Sequence, residues 1–96
     1  MGLLNEHLVA KHEGSTIEMR GVNHVLRGLI YKLFVDGTEV SEAQNFFKVP
    51  TERKLEAEVE IGGARRQIVV AVAQKMLHTE YTMTIDGAEV ALERLV

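Results

Sequence analysis

Residues 31–40 read Tyr-Lys-Leu-Phe-Val-Asp-Gly-Thr-Glu-Val, and residues 81–90 read Tyr-Thr-Met-Thr-Ile-Asp-Gly-Ala-Glu-Val. The two stretches lie fifty positions apart and share Tyr, Asp-Gly and Glu-Val at matching places. A repeat of this kind sets the architecture before any single residue is weighed. In each copy an apolar alternation (Tyr31, Leu33, Val35; Tyr81, Met83, Ile85) runs into Asp-Gly. That dipeptide is the strongest short signal for a type I′ hairpin, because both central residues of the turn need positive φ. The chain therefore reads as two copies of one β unit, 3–41 and 55–96, joined by a linker over 42–54.

Working outward in the second copy, Leu55, Ala57, Val59 and Ile61 alternate with Glu56, Glu58 and Glu60. A period of two is the mark of a half-buried strand. Gly62-Gly63 as a two-residue turn places Glu60 opposite Arg65, Glu58 opposite Gln67, Ala57 opposite Ile68 and Leu55 opposite Val70. Ile68–Ala73 forms the next strand, 75–78 a connection, and 80–85 a third strand that turns at Asp86-Gly87. Val90 and Leu92 then return opposite Met83 and Tyr81. In the first copy Leu8, Ala10 and His12 lead out, Gly14-Ser15 turns, and Ile17 and Met19 come back with Lys11 opposite Glu18. A connection over 23–28 leads to Leu29–Val35, the Asp36-Gly37 turn, and a return strand with Val40 opposite Leu33. The second copy is two residues longer, a difference assigned to the connection. Pro50, the single proline, cannot donate to a central ladder and marks an edge or linker.

These elements predict an all-β chain of about eight strands, with two repeated antiparallel meanders packed as a β-sandwich or flattened barrel. At 96 residues there is room for one domain. Aromatics make up 5% and Trp is absent, so Val, Ile, Leu, Met and Ala must fill the core. The absence of cysteine excludes a disulfide framework and thiolate zinc sites and fits a reducing, cytoplasmic setting. Neither a signal peptide nor a run of eighteen apolar residues is read from the sequence, so no membrane partner is expected. A net charge of −3 with interspersed signs argues against general affinity for nucleic acid.

The run Phe47-Lys48-Val49, and the hairpin Glu80-Tyr81-Thr82-Met83-Thr84-Ile85-Asp86-Gly87 with its earlier match at Leu33–Gly37, resembles the strand pattern of the Fas apoptotic inhibitory molecule family. That family carries a similar Tyr-Thr-Leu-x-Ile-Asn-Gly hairpin, together with core tryptophans this chain lacks. The resemblance implies a non-enzymatic β-sandwich that binds protein partners, and it carries over no catalytic residue.

The residues that suggest chemistry each have a structural reading. His7, His12, His24 and His78 have no His-x-His or His-x-x-x-His spacing, so no metal site is expected. Asp36 and Asp86 precede Gly in turns, where Asp suits positive φ, and are read as turn residues rather than paired catalytic carboxylates. Glu39 and Glu89 follow the turns as solvent-facing positions. Tyr31 and Tyr81 read as core rings with hydroxyls at the rim. Arg65-Arg66 with Arg53 and Lys54 suggest a phosphate site, but Glu52, Glu56, Glu58 and Glu60 offset them. No catalytic residue and no cofactor is assigned.

Ile68–Ala73 is apolar on both faces. Something is expected to cover Val69, Ala71 and Ala73, either Phe46-Phe47 or a second chain, and Phe34 raises the same need in the first copy. These six residues form the candidate interaction face. The function read from the sequence is a non-enzymatic protein-binding or scaffold module acting through an apolar sheet face or an edge strand, as monomer or homodimer. The alternative is a small-ligand domain, or a small enzyme, with a pocket between the sheets.

Overall fold

The computed structural model describes residues 5–24, 26–45, 51–75 and 78–95. Among them the chain forms nine strands and no helix: β1 (Asn5–His12), β2 (Ser15–His24), β3 (Gly28–Val35), β4 (Thr38–Asn45), β5 (Thr51–Ile61), β6 (Ala64–Gln74), β7 (Thr79–Ile85), β8 (Ala88–Val90) and β9 (Glu93–Arg94). Each copy of the repeat builds its own sheet, except that the last strand of the second copy joins the sheet of the first. The first has the order β4-β3-β2-β1-β9 and the second β5-β6-β7-β8. The two sheets share no ladder among the described residues, so the architecture is an antiparallel sandwich rather than a closed barrel.

Alternation decides what lies between the sheets. Ile17, Met19 and Leu33 from the first sheet, and Leu55, Ile61, Ile68, Val70, Val72 and Met83 from the second, are at most 1% exposed. Burying each such side chain stabilises by about 1.5–3 kcal/mol relative to leaving it in water. The β5–β6 hairpin has the expected register, with Glu60 opposite Arg65, Glu58 opposite Gln67, Ala57 opposite Ile68 and Leu55 opposite Val70.

All four two-residue turns have positive φ at both corners: Glu13 49° and Gly14 84°, Asp36 50° and Gly37 86°, Gly62 63° and Gly63 83°, Asp86 52° and Gly87 85°. The first of them lies one residue earlier than the sequence suggested. The second corner of each turn sits near 85°, where only Gly escapes strain, while the first lies in the small left-handed region that Asp and Glu can reach. Gly14 must therefore come second, and Lys11 faces Thr16 while Val9 faces Glu18.

Three other expectations shift. A β-bulge falls between the Leu33 and Phe34 pairs, so Phe34 pairs with Glu39, Leu33 pairs with Ser41 and Val40 is the extra residue. Between matching turn corners, Gly14 to Gly37 and Gly63 to Gly87, the second copy is longer by one residue rather than two, and its connection, 75–78, has four residues against three in 25–27. Both flanks of the segment read as a linker are strand, since β4 runs to Asn45 and β5 starts at Thr51; Pro50 lies outside the described residues.

Leu92 does not extend the β7–β8 ladder. After Val90 the chain crosses to the first sheet, where Glu93 and Arg94 pair with Val9 and Leu8. Among the described residues no helix is long and apolar enough to cross a membrane.

Candidate functional site

The residues of the candidate interaction face do not form one surface. Phe34 is half-buried on the outer face of the first sheet, where the Arg20 guanidinium lies 5.8 Å from its ring centroid. Val69, Ala71 and Ala73 are half-buried on the outer face of the second sheet, on the opposite side of the molecule. Phe46 and Phe47 lie outside the described residues. The apolar stripe of β6 is one strand wide. Cross-strand neighbours flank it: Glu56 and Thr84 beside Val69, Lys54 and Thr82 beside Ala71, Glu52 and Glu80 beside Ala73. Long charged side chains can lay their methylenes over small neighbours while keeping their heads in water.

At one end of the sandwich the two tyrosines of the repeat meet edge to face, with centroids 6.3 Å apart and an interplanar angle of 76°. Each hydroxyl crosses to the opposite sheet. The Tyr31 hydroxyl donates to Gln74 Oε1 at 2.8 Å, which also accepts from Thr79 Oγ1 at 2.7 Å. The Tyr81 hydroxyl donates to Glu6 Oε1 at 2.8 Å, and Arg94 binds the other carboxylate oxygen at 2.5 Å. Burial, and next the Glu6 charge, push the Tyr31 hydroxyl up to about 12. Tyr81 is raised further, by burial first and then by its bond to the Glu6 carboxylate. Phenols held this far above neutrality serve as hydrogen-bond donors and not as general bases. Glu6 points to the core side of β1, a placement that the sequence reading did not single out. Room for the Tyr81 hydroxyl comes from Gly21, whose missing Cβ would stand 2.5 Å from it.

The hairpin turns cluster at the other end. Asp36 and Asp86 play matching parts there. Each donates its own N–H to a carbonyl at the start of the neighbouring strand and accepts that residue's N–H on its carboxylate: Thr16 for Asp36, Gln67 for Asp86, with bonds of 2.8 and 2.9 Å in both cases. Arg66 then ties the sheets together, binding Asp86 at 3.1 Å and Glu13 at 2.9 Å. The Gln67 N–H, and after it Arg66, hold the Asp86 carboxyl below the usual aspartate range. The arrangement anchors turns.

The histidines are dispersed. His7 pairs with Glu18 at 2.6 Å, His78 with Glu80 at 3.1 Å, and His24 Nδ1 accepts the N–H groups of Leu26 and Arg27 at 3.2 Å, capping the β2–β3 turn. No group of three or more His, Asp or Glu among the described residues is arranged to hold a metal ion. Arg65 and Arg66 are separated by strand alternation and each is bound to a carboxylate, Glu58 at 2.9 Å and Glu13 at 2.9 Å.

Two surface grooves are present. One of about 390 Å³ lies over Ala71 and Ala73 between Glu52, Lys54, Glu80 and Thr82. The other, about 420 Å³, opens where β8 stops, beside Tyr81, Leu92 and Arg94. Both are open to solvent, and the core side chains fill the space between the sheets.

The strongest unsatisfied element is an edge. β5 ends the second sheet, and β6 is its one ladder partner among the described residues. In a two-residue hairpin the residues flanking the turn form a hydrogen-bonded pair, here Ile61 and Ala64. Counting back, Val59, Ala57 and Leu55 spend their backbone groups on β6. The N–H and C=O of Glu60, Glu58, Glu56 and Lys54 point to the open side. The carbonyl of Glu52 is taken by Arg53 Nη1 at 3.0 Å, which closes the row at that end.

No family model, curated protein or solved structure matches this chain.

Proposed function

We propose that this chain is a non-enzymatic protein-binding module that takes up an extended segment of its partner at the open edge of β5. One observation carries the reading: an eleven-residue strand closes the sheet, and its row of backbone donors and acceptors from Lys54 to Glu60 has no ladder partner among the described residues. Such a row is a template for strand addition, in which main-chain hydrogen bonds give affinity and alternate side chains give selectivity. The side chains between the sheets, at most 1% exposed over most of the core, favour this reading over a ligand pocket there. The resemblance of the hairpins to the Fas apoptotic inhibitory molecule family implies the same class of function, and the absence of cysteine suits a cytoplasmic setting.

Proline substitution along β5 tests the edge. Glu58→Pro deletes an N–H that points outward and leaves the β6 ladder whole, so the fold survives. Ala57→Pro deletes a ladder bond and destabilises the domain. Extended peptides selected on the native protein from a random library are expected to lose binding to Glu58→Pro. Undiminished binding to that variant would exclude the edge as the site.

A further inference from the structure

Resting on that edge reading, we infer that the partner segment is a strand of alternating basic and apolar residues. The inference comes from what β5 presents on each side of its unpaired row. Glu56, Glu58 and Glu60 stand on the outer face at every second position, about 6.8 Å apart at the usual strand rise. Lys54 precedes them on the same face. Arg65 meets Glu58 at 2.9 Å in a pair with both side chains more than 60% exposed, an attachment that water and salt readily replace. Glu60 has no ion pair among the described residues, and Glu56 has only a 3.4 Å contact with Gln67 Nε2. On the inner face Ala57 and Val59 are only half-buried although they pack against the core. Among the described residues no strand of their own sheet flanks them on the open side.

An added antiparallel strand would place one side chain opposite each of these positions. Lys or Arg fits opposite Glu60, Glu58 and Glu56, an acidic residue fits opposite Lys54, and apolar residues between them fall over Val59, Ala57 and Leu55. Read from its N-terminus, the partner is a seven-residue run of basic, apolar, basic, apolar, basic, apolar, acidic. Glutamates on a strand surface are by themselves a solvated face. Here they line a free ladder, so they also decide what the ladder accepts. Opposite charges directly across a strand pair are favourable and like charges are not. A second copy of β5 would bring Glu against Glu, so the edge rejects its own kind while accepting a basic strand.

The test uses three heptapeptides, Lys-Val-Lys-Val-Arg-Val-Glu, its charge-inverted counterpart Glu-Val-Glu-Val-Glu-Val-Lys, and an uncharged Thr-Val-Thr-Val-Thr-Val-Thr, titrated into the full chain under amide NMR detection. The basic peptide is expected to bind at least tenfold more tightly than the other two. It should shift and protect the amides of Glu56, Glu58 and Glu60 and weaken with added salt. In the charge-reversed variant Glu56→Lys/Glu58→Lys/Glu60→Lys the preference should invert. If all three peptides protect those amides equally, the edge reading stands and the charge inference falls. If none protects them, or the basic peptide shifts only residues elsewhere, both are overturned.

Discussion

Gly21→Ala offers a sharp test of how the two sheets are held together. Gly21 does not have a positive φ, so Ala at that position is not strained by its backbone, and in a strand Ala should gain about 0.5–1 kcal/mol from reduced chain entropy. The new Cβ, however, would lie 2.5 Å from the Tyr81 hydroxyl, with Tyr31 Cδ1 at 3.6 Å and Glu6 Oε1 at 3.8 Å behind it. The hydroxyl is the tip of a rigid ring wedged against Tyr31 and must move off Glu6. A hydrogen bond to a charged group contributes about 1.5–3 kcal/mol. Offsetting the entropy gain leaves a net loss of about 1–2 kcal/mol, or roughly 4–16 °C in Tm at about 4–8 °C per kcal/mol for a domain of this size. Tyr81→Phe removes the clashing oxygen together with the bond. In that background Gly21→Ala should cost little, and the double variant should be at least about 1 kcal/mol more stable than the sum of the singles. Urea unfolding of the four proteins measures the cycle. Additivity within about 0.5 kcal/mol, or a Gly21→Ala protein as stable as the parent, would refute the claim that Gly21 is reserved for the tyrosine.

Gly37→Val and Gly87→Val, at φ of 86° and 85°, should each destabilise by about 1 kcal/mol or more through left-handed strain, read from denaturant midpoints. The Asp86 carboxyl is held below its ordinary value of 3.8 by the Gln67 N–H and then Arg66. A depressed folded value means stability present above pH 3.8 and lost as pH falls through the folded value; Asp86→Asn should flatten that acid limb in thermal melts taken from pH 5 to 2. On the alkaline side Tyr31 is raised from 10.0 to about 12. The unfolded chain then ionises first, so stability is full below pH 10 and drains away as pH climbs to about 12. Absorbance at 295 nm should show phenolate appearing only with unfolding, and native-state ionisation near pH 10 would contradict the buried hydrogen bonds.

Where the sequence was readable, it was so because local chemistry and the core face demanded the same thing. Asp-Gly and Gly-Gly set turns whose second corner only Gly relieves, and the Glu56-Glu58-Glu60 alternation left one register for β5 against β6. Glu13 was passed over as a turn residue because a glutamate at positive φ carries no composition signal; only the geometry of its Gly14 neighbour forces it. The bulge at Val40 and the departure of Leu92 from the sheet are settled by packing between sheets, which no local pattern encodes. Glu6 was missed for the same reason. Its partners Tyr81 and Arg94 lie 75 and 88 residues away. The open edge of β5 was visible as an alternating acidic strand, but that no strand among the described residues pairs with its far side follows only from strand order.

The crossing of β9 onto the first sheet bears on the order in which the molecule assembles. Every other ladder joins strands that follow one another in the chain, whereas β9 must find Leu8 and Val9 across more than eighty residues. The entropy lost in closing a loop grows with the logarithm of its length, about 0.6 kcal/mol per doubling, and two paired residues return little against it. The meanders are therefore expected to zip up first, each from its own turns, with β9 docking last as a clasp across the finished sheets. Pulsed hydrogen exchange during refolding should find the Leu95 amide, bonded to the His7 carbonyl at 2.7 Å, protected after those of Val70 and Leu33; in the native state it should be among the first to exchange. A clasp formed last makes the Glu6–Arg94 pair a reporter of completed folding, separate from the stability of either sheet.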